Sequence, residues 1–435
     1  MKLAIVGGGG FRVPLVYGAL LRRSAALRFH DIVLHDLDQG RLERIGAVLE
    51  GQAAESGERL PFRATTALED AVEGADFVFS AIRPGRLEGR VVDESIPLGL
   101  GVLGQETTGP GGICFALRTI PAMVALAETM AERAPRAWLI NFTNPAGMVT
   151  EAAQQVLGAR AIGICDSPSG LCRRVARALG RPREELTFDY FGLNHLGWLR
   201  AVRDGGEDLL PELLADDERL AALEDGRLFG AEWLRTLGMI PSVYLYYFYF
   251  GEEAVEGMRK SPRGEYLLAQ QEAFYAGDGD ALSAWRAARA ERDASYMAEA
   301  GVEGGHADDE GGYEGEAMAV VEAIATNARA ELIVNTANAS ALPFLDSRAV
   351  VEVPALVDRS GPRPLAVGDV PDHPRALIET INAVERATID AALTGSSELA
   401  VEALALHPLV PSVTTAREIF AGYRARLPEL QERFA

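Results

Sequence analysis

A run of four glycines, residues 7–10, is the feature that most constrains the fold of this chain. It directly follows KLAIV (2–6), which has the composition of a buried strand, and precedes a segment with helical periodicity from Val13 to Leu27. Glycine lets the backbone approach a bound group closely, and the amides at a helix N-terminus attract phosphate. Strand, glycine turn and helix in this order predict a site for the pyrophosphate of a dinucleotide.

The second predicted strand, residues 31–36, ends in Asp36, where an acceptor for a ribose hydroxyl belongs. An acid at this place favours NAD over NADP. The match to G-x-G-x-x-G is imperfect, since Arg12 stands at the third glycine position, and a tight turn with a helix cap is the alternative. The residues predicted to bind the cofactor are Gly7, Gly8, Gly9, Gly10, Phe11, Asp36 and Arg83.

Further apolar segments at 75–82, 136–143 and 160–165 have the length of strands, and helical stretches separate most of them. This alternation predicts a Rossmann-like doubly wound parallel sheet, in which ligands bind beyond the carboxyl ends of the strands. Gly7, Asp36, Arg83, Asn144 and Cys165 all lie at or just past such ends. We therefore expect them to converge on one crevice.

The pattern changes after about residue 195. Helical segments dominate at 219–237, 264–299, 316–329, 374–394 and 415–433, with short strands near 332–336 and 350–357. The prediction is an α/β fold with an NAD-binding domain over 1–195 and a second, mainly helical α+β region for catalysis and oligomerisation over 196–435. The glycine-rich and acidic stretch 301–316 is predicted to be a mobile loop.

Composition excludes several classes of function. With 42 Lys and Arg against 63 Asp and Glu, the net charge of −21 repels nucleic acid, and an anionic small molecule would need its own arginines. The three cysteines form no C-x-x-C pair, so neither a disulfide framework nor a zinc knuckle is indicated. No signal-peptide-like start or membrane-length apolar run is visible, which predicts a soluble cytoplasmic protein without a membrane partner.

The roles of two residues stay open when the sequence pattern is considered alone. Cys165, in GICDSP, is either an ordinary buried thiol or a chemical group at the end of a strand. His195, in GLNHLGW, taken alone is best interpreted as a satisfied, half-buried histidine. No fixed spacing connects the two, so they do not by themselves establish a metal site.

A family resemblance bears on this ambiguity. The chain resembles the NAD- and manganese-dependent glycoside hydrolases of family 4 in an ordered series of motifs that runs from Met1 almost to the C-terminus. The matching stretches are IVGGGG, IRPGRLEGRVVDESIPL, GQETTGPGG, NFTNPAGMVTEA, GICDSP, GLNHLGW, IPSVYLYYF and PLVPS.

The resemblance implies a redox route to glycoside hydrolysis. NAD⁺ takes hydride from C3 of the sugar, a base removes the acidified C2 proton, the glycosidic oxygen leaves, water adds and NADH returns the hydride. It also implies Cys165 and His195 as ligands of Mn²⁺ or a similar divalent cation, and Tyr244 as the base. An aromatic core stripe is the alternative for Tyr244. Arg90, Asn144 and Arg263 match positions that address a substrate phosphate.

Two departures from the family pattern affect the prediction. Asp166 follows the cysteine, as in relatives that act on 6-phospho-α-glucosides, where it is the proposed acid. The longer flanking motifs are more similar to the β-specific branch, and we follow them. In the segment 310–316 a family arginine has become Glu310 and a tyrosine has become glycine, which puts any role of that segment in doubt.

The sequence thus predicts a cytoplasmic 6-phospho-β-glucosidase that uses NAD and a divalent cation. Its expected partners are a phosphorylated disaccharide or glucoside and further copies of the chain in a homodimer or homotetramer. The alternatives are a 6-phospho-α-glucosidase with Asp166 as acid, a 2-hydroxyacid dehydrogenase-like oxidoreductase, and a non-catalytic sugar-phosphate sensor.

Overall fold

The computed structural model describes residues 1–23, 27–58, 60–294 and 312–435. Its strands, in chain order, are β1 Lys2–Val6, β2 Asp31–His35, β3 Phe62–Thr65, β4 Phe77–Ser80, β5 Trp138–Asn141, β6 Ala161–Gly163, β7 Leu186–Leu193, β8 Leu196–Asp204, β9 Glu207–Asp208, β10 Ile240–Pro241, β11 Ala330–Ala337, β12 Val350–Asp358 and β13 Gly361–Pro364.

The α-helices lie between and around these strands. In chain order they are α1 Val13–Arg22, α2 Gln39–Ser56, α3 Leu68–Val72, α4 Arg86–Gly99, α5 Gly109–Arg133, α6 Ala146–Leu157, α7 Ser167–Leu179, α8 Leu210–Ala215, α9 Asp217–Ala222, α10 Glu224–Phe229, α11 Ala231–Leu237, α12 Tyr246–Tyr249, α13 Gly251–Lys260, α14 Arg263–Ala276, α15 Ala281–Ala294, α16 Tyr313–Thr326, α17 Asp372–Thr394, α18 Ser397–Leu406, α19 Val413–Arg426 and α20 Pro428–Arg433. Short 3₁₀ turns cover Gly158–Arg160, Arg183–Glu185 and Val243–Leu245.

The central sheet has nine strands in the order β13-β12-β11-β6-β5-β4-β1-β2-β3. The pairs from β6 through to β3 are parallel, and β11, β12 and β13 add antiparallel strands at one edge. This confirms the predicted doubly wound sheet. The strand β3 was not predicted, because FRAT is a short edge strand with two exposed residues and carries little of the apolar signal.

Layers of helices cover both faces of the sheet. Along β1, Leu3 and Ile5 belong to a core shared with α1, α2 and α16, whereas Ala4 and Val6 belong to a core shared with α5, α6 and α17. Successive strand residues point to opposite faces, so a fully buried strand must be apolar throughout. The helix α5 is long and apolar enough to cross a membrane, but here it packs against α6 and α17, and 67% of its most apolar window is buried.

The second sheet, β10-β8-β7 with β9 beside β8, was missed by the sequence analysis. Its hairpin of β7 and β8 turns at residues 194 and 195, so the predicted domain boundary falls inside that turn. Strands β11, β12 and β13, from the proposed second region, complete the sheet of the first. The two regions therefore share one sheet.

Two of the long helices predicted for the second region are divided in the structure. The segment predicted as one helix over 219–237 forms the three short helices α9, α10 and α11, with breaks at Leu223 and Gly230. The segment 264–299 is divided into α14 and α15 around 277–280, and its residues 295–299 lie outside the described residues. The predicted loop 301–316 lies outside the described residues up to 311. Its last part was predicted wrongly, since Tyr313–Glu316 form the first turn of α16, whose helix-forming residues outweigh the preceding glycines.

Candidate active site

The carboxyl ends of β1, β4, β5 and β6 open into a cavity of ≈ 730 Å³. The strand order reverses between β1 and β4, which is where ligands bind in open α/β sheets. All the residues predicted for the site except Gly8 and Gly9 line this cavity: Gly7, Gly10, Phe11, Asp36, Arg83, Arg90, Asn144, Cys165, Asp166, His195, Tyr244 and Arg263. Gly8 and Gly9 lie within the same turn as Gly7.

The glycine turn is shaped by its own amides. Gly7 and Gly8 donate to the carbonyl of His35 at 2.9 and 2.6 Å, and Gly9 donates to Oδ2 of Asp36 at 3.1 Å. Gly7 has φ +88°, and a Cβ at this position would lie 2.6 Å from the carbonyl oxygen of Ala81. The ends of β1 and β4 can approach this closely only because residue 7 is glycine.

Three aromatic side chains from the second region hold the same turn. Tyr275 in α14 donates to the carbonyl of Gly9 at 2.7 Å, Trp285 in α15 to that of Phe11 at 2.8 Å, and Tyr313 in α16 to that of Arg12 at 2.7 Å. The sequence analysis missed this arrangement, since nothing in the local pattern of α14, α15 or α16 points to a turn more than 260 residues away.

A half-buried carboxylate joins two of the predicted arginines. Oε2 of Glu106 forms an ion pair with Nη1 of Arg83 at 2.7 Å, although the angles are not those of a hydrogen bond. Oε1 of Glu106 lies 2.9 Å from Nη1 of Arg90. Burial opposes ionisation of Glu106, but the charges of Arg83 and Arg90 outweigh it and hold its pKa well below the usual range. Arg83 and Arg90 are therefore parts of one cluster, although they were predicted for cofactor and phosphate separately.

Arg90 has a second acidic partner. Its Nε donates to Oε1 of Glu94 at 2.7 Å, and Oε2 of Glu94 accepts the amide of Gly264 at 2.8 Å, directly after Arg263 at the start of α14. Burial raises the pKa of Glu94, with a contribution from Glu106. This chain of contacts fixes α4 against α14, so Arg90 and Arg263 face the same part of the cavity.

Arg12 and Arg292 are among the further arginines that line the cavity, and neither was predicted. Arg12 lies over the stacked rings of Phe142 and Tyr313, 5.3 and 5.1 Å from their centroids. Arg292 lines the cavity from α15, and burial together with the charges of Arg12, Arg90 and Arg263 lowers its pKa well below the usual value. Arginine at position 12 is visible in the sequence as the misfit in the dinucleotide fingerprint.

Cys165 and His195, which spacing could not connect, lie in the same cavity wall. Cys165 follows β6, and burial raises the pKa of its thiol well above the usual value, with Glu352 and Asp166 acting in the same direction. His195 occupies the turn between β7 and β8 with φ +62°. Burial lowers its pKa to about 4, against the influence of Asp166 and Glu106, so the imidazole is neutral.

Neighbouring side chains support both of these residues. Nδ1 of His195 lies 2.9 Å from Oγ1 of Thr107, and its ring stacks on Tyr244 with centroids 3.6 Å apart and planes 8° from parallel. Asn194 donates to Oε1 of Glu352 at 3.1 Å, and its hydrogen bond to Cys165 acts against burial by lowering the pKa of the thiol. Glu352 was missed because it lies in β12, where an acid between valines gives no sign of its partners.

A neutral imidazole and a thiol at one wall suit a divalent cation that is held weakly by the protein. Within the described parts of the chain, no three His, Cys, Asp or Glu side chains are grouped closely enough to hold an ion. Sulfur is also a soft ligand for manganese. The residues fit such an ion if waters or a bound substrate complete its coordination.

Of the segment predicted as an altered loop, Glu310 and Gly311 lie outside the described residues. Gly312, Tyr313 and Glu314 line the cavity, and Glu316 pairs with Arg173 at 3.2 Å. The described part of this segment thus reaches the candidate site through the first turn of α16.

Fold and cavity together define an α/β enzyme of the dinucleotide-binding type, with its polar groups at the carboxyl ends of a parallel sheet. Two family models match the chain. "Family 4 glycosyl hydrolase" matches residues 2–181, and "Family 4 glycosyl hydrolase C-terminal domain" matches residues 190–410. The chain belongs to family 4 of the glycosyl hydrolases.

Similar proteins are known across the full length. The chain is 31% identical to a probable 6-phospho-beta-glucosidase of Bacillus subtilis over 99% of this chain and 98% of the relative. It is 32% identical to 6-phospho-alpha-glucosidase 1 of Lacticaseibacillus paracasei over 96% and 95%. The Thermotoga maritima 6-phospho-beta glucosidase, solved with manganese, NAD⁺ and glucose-6-phosphate, superposes with a TM-score of 0.84 at 26% identity, covering 98% of each chain.

Proposed function

We propose that this protein hydrolyses 6-phosphoglucosides by NAD-dependent oxidation, elimination, addition and reduction, with the help of a divalent cation. The observation that carries the proposal is the single cavity that holds a dinucleotide turn, a group of arginines, and the Cys165, His195 and Tyr244 side chains. The ligands of the similar Thermotoga maritima enzyme, manganese, NAD⁺ and glucose-6-phosphate, support it.

When bound, NAD would accept and return a hydride, and the cation would stabilise negative charge on sugar oxygens. The chain's part in binding the dinucleotide is the turn of Gly7 to Phe11 at the start of α1, with Asp36 as acceptor for a ribose hydroxyl. Arg83 lies at the end of β4 beside this turn and is held by Glu106. Cys165 and His195 are the proposed ligands of the cation.

Tyr244 is the proposed base that removes the C2 proton of the sugar. Its ring lies against His195 at 3.6 Å, so the phenol is held in a fixed orientation at the proposed cation site. A nearby cation favours the phenolate form, which is the form that accepts a proton. Asp166, which directly precedes α7 and lines the same cavity, is the proposed acid that exchanges a proton with the leaving group.

Arg90, Asn144 and Arg263 are the proposed contacts of the 6-phosphate, since planar guanidinium groups match phosphate oxygens in pairs. Glu94 and Glu106 contact Nε and Nη1 of Arg90, which fixes the plane of its guanidinium group. Local arginines also let a chain with a net charge of −21 accept an anionic substrate.

The two leading candidate functions differ in the anomer of the 6-phosphoglucoside that is cleaved. The longer β-like motifs favour a 6-phospho-β-glucosidase, which remains our prediction. The position of Asp166 in the cavity favours a 6-phospho-α-glucosidase as second candidate, since an acid there can protonate a poor leaving group. The similar proteins include enzymes with each name. A cytoplasmic location and a homodimer or homotetramer are further predictions.

Release of nitrophenol from the α and β forms of 4-nitrophenyl glucoside 6-phosphate, with NAD⁺ and Mn²⁺ under reducing conditions, tests the proposal. We expect turnover that stops when either cofactor is omitted, and faster release from the β form. Faster release from the α form would select the second candidate; because nitrophenolate leaves readily without an acid, Asp166→Asn should then slow hydrolysis of a 6-phosphodisaccharide more than release of nitrophenol. NADH accumulating in proportion to substrate would indicate a dehydrogenase instead, and ligand binding without turnover a sensor.

A further inference from the structure

Gln105 is a buried amide that accepts several hydrogen bonds at one oxygen. Its Oε1 accepts the backbone amides of Thr107 and Thr108, each at 2.6 Å, and the hydroxyl of Thr107 at 3.0 Å. Two backbone N–H groups can only donate, so the oxygen of the Gln105 amide must be the atom that faces them. The orientation of the amide group is thereby fixed.

The oxygen of Gln105 also offers an acceptor to the hydroxyl of Thr107, which in turn contacts His195. When the one proton of the Thr107 hydroxyl is directed to Oε1 of Gln105, 3.0 Å away, Thr107 has only lone pairs left for its other neighbour. Its oxygen then accepts from the neighbour at 2.9 Å, which is Nδ1 of His195. In that arrangement the ring carries its proton on Nδ1 and a lone pair on Nε2.

The ring is also fixed in direction. His195 has a left-handed backbone conformation, φ +62°, in the tight turn between β7 and β8, which is uncommon for a residue with a side chain. Tyr244 lies flat against one face of the ring. Backbone turn, stacking and the Nδ1 hydrogen bond together leave Nε2 as the ring nitrogen available to a ligand.

We propose that Gln105 and Thr107 are positioning residues that hold His195 in the Nδ1–H tautomer, so that Nε2 can bind a divalent cation. Neither residue touches the reacting atoms, and both lie in the GQETTG stretch before α5, about 90 residues from the histidine in sequence. The inference rests on the metal part of the proposed function. The affinity for the metal then depends on Gln105 and Thr107 as well as on the two predicted ligands.

The test is the affinity for Mn²⁺ measured by titration calorimetry on the reduced protein, without substrate. Thr107→Val keeps the shape of the side chain but removes the hydroxyl, and we expect Mn²⁺ binding about 10–100-fold weaker. Thr107→Ser restores the hydroxyl and should bind within a few-fold of the natural protein. Melting curves of both variants separate loss of the hydrogen bond from loss of the fold.

His195→Ala distinguishes failure of this inference from failure of the proposed function. If His195→Ala binds Mn²⁺ as tightly as the natural protein, the metal assignment itself is wrong. If His195→Ala loses affinity but Thr107→Val does not, the positioning role is overturned. Two-bond ¹H–¹⁵N spectra of ¹⁵N-histidine-labelled natural protein should show His195 protonated on Nδ1, and protonation on Nε2 would refute the inference even without a folded variant.

Discussion

The two ends of the cavity differ in composition, with backbone groups at one end and side chains at the other. The proposed cofactor end is mostly backbone. It is the turn of residues 7–12, with amides bonded to the end of β2 and carbonyls held by three aromatic side chains. The proposed sugar end consists of the side chains Cys165, His195 and Tyr244, brought in by three separate elements. A backbone site depends on a few glycine positions, whereas a side-chain site depends on how distant elements pack.

The largest expected effect lies at the sugar end. Tyr244→Phe removes the proposed base while keeping the ring stacked on His195, so kcat should fall 10²–10⁴-fold, about 3–5 kcal/mol of barrier. NAD binding, measured by fluorescence titration, should not change. Tyr266→Phe, at an exposed tyrosine on α14, is the control. Equal activity in the two variants would exclude Tyr244 as the base.

At the cofactor end the corresponding change is to the backbone. Gly7→Ala introduces a Cβ 2.6 Å from the carbonyl oxygen of Ala81 at φ +88°, which we expect to weaken NAD binding at least ~10-fold and to lower stability. Gly57→Ala is the matched control, with φ +70° but nothing within 4 Å. It should cost about 1 kcal/mol in the free energy of unfolding and leave NAD affinity unchanged. Denaturant unfolding and NAD titration of both variants measure the difference.

Arg263→Met examines whether the sugar end recognises phosphate. Removing one charge-assisted contact of about 1.5–3 kcal/mol should lower kcat/KM for the phosphorylated glucoside about 10–100-fold. The slow reaction of the unphosphorylated glucoside should be unaffected. Arg259→Met provides the comparison, because Arg259 bonds to the carbonyl of Leu98 outside the cavity. Equal losses on both substrates would argue against a phosphate contact.

The smallest effect concerns the aromatic residues that hold the turn. Trp285→Phe removes the N–H that bonds to Phe11, and we expect NAD binding about 5-fold weaker, about 1 kcal/mol. Trp233→Phe is an informative control, because Nε1 of Trp233 is buried without a hydrogen-bond partner in the described part of the chain. If the two variants bind NAD alike, the hydrogen bond does not shape the turn.

Sequence patterns gave different amounts of information for these two ends. β1, β2, β4, β5 and β6 were predictable, since strands buried on both faces are continuous apolar runs, and the glycines mark the turn after the first of them. The hairpin of β7 and β8 was not predicted. The motif GLNHLGW at the turn was singled out as a polar cluster of functional interest. The alternation of buried and exposed residues that marks a strand lies before and after this motif.

Side-chain partners were hardest to predict. Cys165, His195 and Tyr244 entered the prediction through a family resemblance, and the tertiary structure brings them to one cavity wall. Glu106 and Glu352 carried no signal, because an acid next to a threonine or between valines has many ordinary uses. Their importance depends on partners that lie 16 to 162 residues away.

The sequence alone determined the parallel sheet, the glycine turn and the acid at the end of β2, because these depend on local backbone conformation and on burial of continuous strands. Only the tertiary structure decided which arginines share Glu106, which aromatic groups hold the turn, and which hydroxyl contacts Nδ1 of His195. Those features depend on distances and angles between side chains from remote segments, which are set by the packing of α4, α14, α15 and the β7–β8 turn against the sheet.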